Sequence, residues 1–222
     1  LWQCTLTVAL SIFGTLSMAL WMAGMQGAAP YGPDWHGHEM IFGFVGVTFA
    51  GFLLTAVPRW TGQQGLQGAW LVGLWGLWVA GRLAMAFDGL LWLDLLFLPA
   101  LLFVVLRDIV AGRNWRNLTI PVVLAMLTAL NILYHMEDSP VARPDALRAA
   151  AYTVTAMIAL IGGRVMAAFT GNALGVKITE GRFAGPLENL SILGVLAVAV
   201  LAIIAPDSVL HGAAALAAGV VL

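Results

Sequence analysis

The chain holds four histidines, His36, His38, His135 and His211, and a single cysteine, Cys4. Imidazole is the commonest protein ligand for iron and copper, and inside a membrane it is scarce unless it has a task. On the spans drawn below, all four histidines fall within about one helical turn of the same membrane face. Haem or a metal ion held by imidazoles near that face is therefore the leading chemical reading. Hydrogen-bonded or interfacial imidazoles are the alternative, because polar residues gather at helix ends in any case. One cysteine excludes an internal disulfide, a paired-thiol redox motif and the C-x-x-C-H attachment of covalent haem, so any haem would be held by coordination alone.

Further polar groups lie at similar depth. On a continuous helix His36 and His38 point about 200° apart. His36 leads a stripe of Glu39, Gly43, Gly46 and Ala50, and His38 leads Phe42, Val45 and Phe49. The first stripe is nearly flat and would admit either a neighbouring helix or a planar macrocycle. Glu39 lies roughly one turn inside the membrane, where a carboxylate calls for a partner or a cavity. It could orient a histidine, relay protons, or simply favour a helix start. Arg82 and Asp94 flank the Asp88-Gly89 turn at equal separation, which in an antiparallel hairpin puts both about 9 Å below the surface. They read as an ion pair, with Arg82 also level with the propionates of a haem. Asn131, one turn before His135, could bridge helices or hold the second nitrogen of that imidazole. Arg164, after Gly162-Gly163, reads as a snorkelling side chain near the opposite face.

The elements that must position these groups follow from composition. Of 222 residues, 61% are hydrophobic and 9% charged, against roughly 25% charged in soluble domains, and mean hydropathy is +0.94. An all-α, polytopic transmembrane bundle is expected, as one domain over 1–222. With about 20 apolar residues per crossing, spans fall near 5–25, 36–57, 69–87, 90–106, 118–136, 149–170 and 189–205, and an incomplete one begins around Ser208. That makes seven to eight. The first segment lacks a charged leader and cleavage site and reads as a retained span. A start without methionine and an end inside an apolar run suggest a piece of a longer chain.

Loop charges orient the bundle. Arg59, Arg107, Arg113, Arg116, Lys177 and Arg182 fall in one set of loops, and only Arg143 and Arg148 in the other. The positive-inside rule then places the amino terminus in the cytoplasm and the histidines at the outer face. Net charge is −1 with no basic block, so a nucleic-acid partner is excluded and the lipid bilayer is the expected one. Phosphate-binding loops, dinucleotide fingerprints, H-E-x-x-H and nucleophile elbows are absent from the sequence, which argues against conventional hydrolase or nucleotide chemistry. A proton-coupled solute transporter or channel without cofactor is the rival reading, with Glu39, Arg82, Asp94 and Arg164 lining a path.

Trp35-His36-Gly37-His38-Glu39-Met40, continuing through Gly43-Phe44 to Gly51-Phe52-Leu53-Leu54-Thr55-Ala56-Val57-Pro58, resembles the signature of the NnrS family. Trp60-Thr61-Gly62, the segment from Asn131 to His135, and Gly162-Gly163-Arg164-Val165 running on to Phe169-Thr170-Gly171-Asn172-Ala173-Leu174 extend the likeness. It departs from the pattern at Ala167, where a proline is expected, and at Gly171, where a basic residue is. The resemblance implies a bacterial inner-membrane protein, usually of about twelve spans, associated with haem b and copper and with the response to nitric oxide. Its histidine motif maps to His36 and His38 and its later histidine to His135, with the division of metals among them left open. His211 lies outside the strongest matches.

Overall fold

A computed structural model of the chain describes residues 31–87, 90–136, 141–175 and 186–205, with positions 19, 22–24, 208, 212 and 214. Every described element is helical, because a chain surrounded by lipid must satisfy its backbone N–H and C=O groups within the segment itself. The helices are α1 (Pro33–Thr61), α2 (Ala69–Phe87), α3 (Asp94–Ala111), α4 (Thr119–His135), α5 (Arg143–Leu174) and α6 (Pro186–Ile204). Among the described residues, four stretches are long and apolar enough to cross a membrane: Pro33–Thr61, Ala69–Phe87, Trp115–His135 and Arg143–Gly163. In α3 the charges sit toward the ends, Asp94 at the first position and Arg107 and Asp108 four and three residues before the last. The expected first span, and the eighth that includes His211, lie outside the described residues apart from the isolated positions named above.

Two compact units divide the chain, Leu1–Ser139 and Pro140–Leu222. Within the first, α3 packs against α1, α2 and α4, and Phe42, Leu53, Leu98, Leu101, Leu124 and Leu127 are wholly buried. The outward residues are equally apolar: Trp70, Phe87 and Phe103 are 79%, 80% and 68% exposed. A polypeptide that is apolar inside and out is built for lipid rather than water. Within the second unit α5 and α6 pack together through small and β-branched residues, Ala156 meeting Val195 and Val198. Close-packed small side chains suit helices in lipid, where dispersion rather than water exclusion holds them together.

Local chemistry explains how α1 is shaped. Pro33 occupies its first turn, where a missing N–H costs nothing, and Gly62 ends it in the left-handed conformation with φ 69°. Between these, Glu39–Val45 is wound as a π-turn. Such a turn spends an extra residue and widens the helix, a feature frequent at functional sites. The Trp78 indole on α2 donates to the Gly43 carbonyl at 3.0 Å, giving an oxygen of the widened turn a partner from outside the helix. Residues from both stripes of α1 are consequently buried, Glu39, Gly43, Gly46 and Ala50 together with His38, Phe42 and Phe49. The expectation that the two histidine faces have separate surroundings gives way to a buried face that includes members of each.

Glycine sets the approach of the neighbours. A Cβ on Gly81 would stand 3.0 Å from the Asp94 Cα and 3.2 Å from its Oδ1, so α2 meets the start of α3 at a distance only glycine permits without movement. At the other end a Cβ on Gly112 would stand 2.6 Å from the Thr61 carbonyl oxygen. These two glycines fix the depth at which α3 sits against α1 and α2.

Candidate metal centre

Asp94 begins α3, where the positive end of the helix dipole favours a carboxylate. It is 2% exposed. Arg82, one residue after Gly81, donates through Nη2 to Asp94 Oδ1 and through Nη1 to Glu39 Oε1. The other carboxylate oxygen, Asp94 Oδ2, accepts from Asn131 Nδ2 at 2.9 Å and from His135 Nε2 at 3.0 Å, and lies 3.2 Å from His38 Nε2. His38 Nε2–H donates to Asn131 Oδ1 at 2.8 Å. One aspartate thus joins residues from α1, α2 and α4.

His38 is completely buried, with its ring 4.5 Å from that of Tyr134, 4.9 Å from Phe42 and 5.0 Å from His135 between centroids. Its Nδ1 lies 3.5 Å from Glu39 Oε1 and has no hydrogen-bond partner, and neither has the buried Nε of Arg82. Burying charges at this depth is costly unless they neutralise one another. Here Glu39, Arg82 and Asp94 close on one another as one network.

His38, Asp94 and His135 each present one ligand atom, and the three lie within 4.8 Å of one another. Ligands about 2.1 Å from a tetrahedral ion stand about 3.4 Å apart, so the 3.0 and 3.2 Å separations around Asp94 Oδ2 need little change to accept one. An ion would replace the two imidazole N–H protons now directed at the carboxylate and the amide. Two imidazoles and a carboxylate suit copper, zinc or iron(II). A haem does not fit at this place, since both Nε2 atoms already face side-chain oxygens within 3.2 Å and His38 is closed in by aromatic rings.

The structure therefore brings together His38, His135, Arg82, Glu39, Asp94 and Asn131. His36 is half-buried and is not one of the three ligand-type residues that converge there; Tyr31 and Trp35, neighbours of it in sequence, donate to the Ala86 and Met85 carbonyls on α2. His211 and the side chain of Arg164 lie outside the described residues. The pairing of Arg82 with Asp94 is present, and Arg82 holds Glu39 as well. Of the two roles read for Asn131, bridging helices and holding the His135 imidazole, the structure shows the first: from α4 it bonds His38 on α1 and Asp94 on α3, because one helical turn puts Asn131 and His135 on the same face toward α3. Sequence reasoning overlooked Tyr134 and Gly81. Gly81 precedes a buried arginine, a signal that could have marked the close approach.

Helices throughout the described residues, several of membrane length and apolar, together with a buried histidine–carboxylate cluster of a kind that could hold a metal ion, mark a helical membrane protein. The family model described as NnrS protein matches residues 8–222, nearly the whole chain, and the chain belongs to the NnrS family. No curated protein and no solved structure matches it.

Proposed function

We propose that this is a multi-pass protein of the bacterial inner membrane, with seven to eight spans in this sequence and a cytoplasmic amino terminus. It holds a copper-type ion through His38, Asp94 and His135 beneath the periplasmic face and acts in the response to nitric oxide. The observation that carries the reading is the buried convergence of His38 and His135 on Asp94 Oδ2. Family membership supports the association with metal and nitric oxide. Among divalent first-row ions copper binds nitrogen and oxygen donors most tightly. Three protein ligands leave a coordination position open, which is what a diatomic or a small product of it needs. Nitric oxide is uncharged and crosses apolar helices without a channel. The orientation rests on six basic residues in one set of loops against two in the other.

The haem that the family resemblance implies belongs, in this reading, away from the triad. The test is elemental analysis and absorption spectroscopy of the purified, metal- and haem-supplied protein, with His38→Ala, His135→Ala and His36→Ala variants. The reading requires a copper-type ion that is lost with His38 or His135 and kept without His36. Nitric oxide should perturb the metal's spectrum. Protein that binds no metal, or keeps it without either triad histidine, would refute the reading.

A further inference from the structure

The charges around the triad fix what must accompany an ion there. Among the described buried residues of the cluster, Glu39 and Asp94 contribute two negative charges and Arg82 one positive, so the pocket carries a net charge of −1 with its ligand imidazoles neutral. A divalent ion would overturn that balance to +1. An uncompensated charge is expensive where the ligands are almost entirely out of solvent, and paired charges in such places survive because they cancel. Arg82 is the residue responsible for the excess. Its side chain is nine-tenths buried, it cannot lose its proton, and its Nε–H meets no acceptor among the described residues.

We infer that the site takes its divalent ion together with one small monoanion, of the class of nitrite, azide or hydroxide, and that Arg82 and Glu39 set the affinity for that anion in opposite directions. The inference rests on the metal reading above and goes beyond it in naming a second ligand. Three protein donors leave the position the anion needs. Without Arg82 the loaded pocket would be neutral and would have no call for an anion. Without the Glu39 carboxylate it would carry +2 and hold one more tightly. A unit charge a few ångströms away, at an effective dielectric of about 20, shifts the affinity for an ion by on the order of tenfold or more.

The experiment is an azide titration, repeated with nitrite, of purified full-length protein loaded with Cu(II). It is followed by the ligand-to-metal charge-transfer band and by electron paramagnetic resonance, with copper bound per chain measured in parallel. Azide should bind with a saturable spectral change. Arg82→Gln should weaken its apparent Kd by about tenfold or more and Glu39→Gln should tighten it by a similar factor. The double variant Glu39→Gln/Arg82→Gln keeps the parent's net charge and should return the affinity to within about threefold of the parent. That variant removes Glu39 and Arg82 together and leaves Asp94 facing the ion with Asn131 still donating to it, so the comparison survives even if Arg82→Gln alone does not fold. Copper bound with no azide response, or with equal azide affinity in the parent, Glu39→Gln and the double variant while Arg82→Gln matches them or is lost, would overturn the inference and leave the metal site standing. Absence of copper from the parent would overturn the metal site itself and the inference with it.

Discussion

Replacing Asp94 by alanine is the perturbation that the architecture of the site makes most costly. Asp94, itself 2% exposed, accepts from the Arg82 guanidinium, from Asn131 and from His135. Hydrogen bonds to a charged group contribute about 1.5–3 kcal/mol each, which for three gives a gross of about 4–9 kcal/mol. Arg82 retains Glu39 after the change, so its charge is not left alone, and the net loss falls near the 3–5 kcal/mol typical of a broken buried pair. This exceeds the average of about 0.6 kcal/mol for neutral interhelical bonds in membranes. The assay is reversible unfolding in mixed detergent micelles followed by far-ultraviolet circular dichroism, comparing the parent, Asp94→Ala, Arg82→Met and the double variant. Because the two residues touch, their effects should be non-additive, the double variant losing less than the sum of the single ones. A loss below about 1 kcal/mol for Asp94→Ala, or simple additivity, would refute the claim that Asp94 is the hub joining the four helices.

Gly81→Ala should lower metal affinity more than its small change in volume suggests, because the new Cβ would meet the Asp94 backbone at 3.0 Å; isothermal titration with copper checks this, and unchanged affinity would contradict it. Gly112→Val should destabilise the fold by about 1–3 kcal/mol through overpacking against Thr61, with little effect on metal stoichiometry, as measured by thermal unfolding beside elemental analysis. Trp78→Phe removes the indole donor to Gly43 and should cost about 1 kcal/mol, with the proton exchange of the π-turn amides accelerated in hydrogen-exchange mass spectrometry. His36→Ala should leave copper binding within about twofold while His38→Ala abolishes it, and equal losses would show that the two histidines share one ion.

Much of the site follows from depth alone. Hydropathy places His38 at the start of one helix and His135 at the end of another, and the symmetric turn at Asp88-Gly89 sets Arg82 level with Asp94. These are one-dimensional facts, and counting residues from a membrane face recovers them. Lateral relations do not follow in that way. A helical wheel of 100° per residue assigns Glu39 to the stripe of His36, but the π-turn over Glu39–Val45 changes the angular step where it matters and buries Glu39 beside His38. Asn131 and His135 share a helix face, and which of them serves the other depends on what stands opposite. Asp94 and His38 stand there, so Asn131 bonds both. The approach that makes this possible depends on Gly81 against Asp94, a contact between helices whose spatial order no hydropathy profile contains. The flat glycine stripe of α1, open to a helix or a macrocycle when read alone, receives Phe97 and Leu98 of α3 at Gly46.

The central claim is that imidazoles of His38 and His135 converge on one ion beside Asp94. Pulsed electron paramagnetic resonance of the Cu(II)-loaded protein tests it most directly, because modulations from the remote imidazole nitrogens count the coordinated rings. Two rings are predicted in the parent and in His36→Ala, and no more than one in His38→Ala or His135→Ala. Two rings persisting after loss of His38 or His135 would contradict the account.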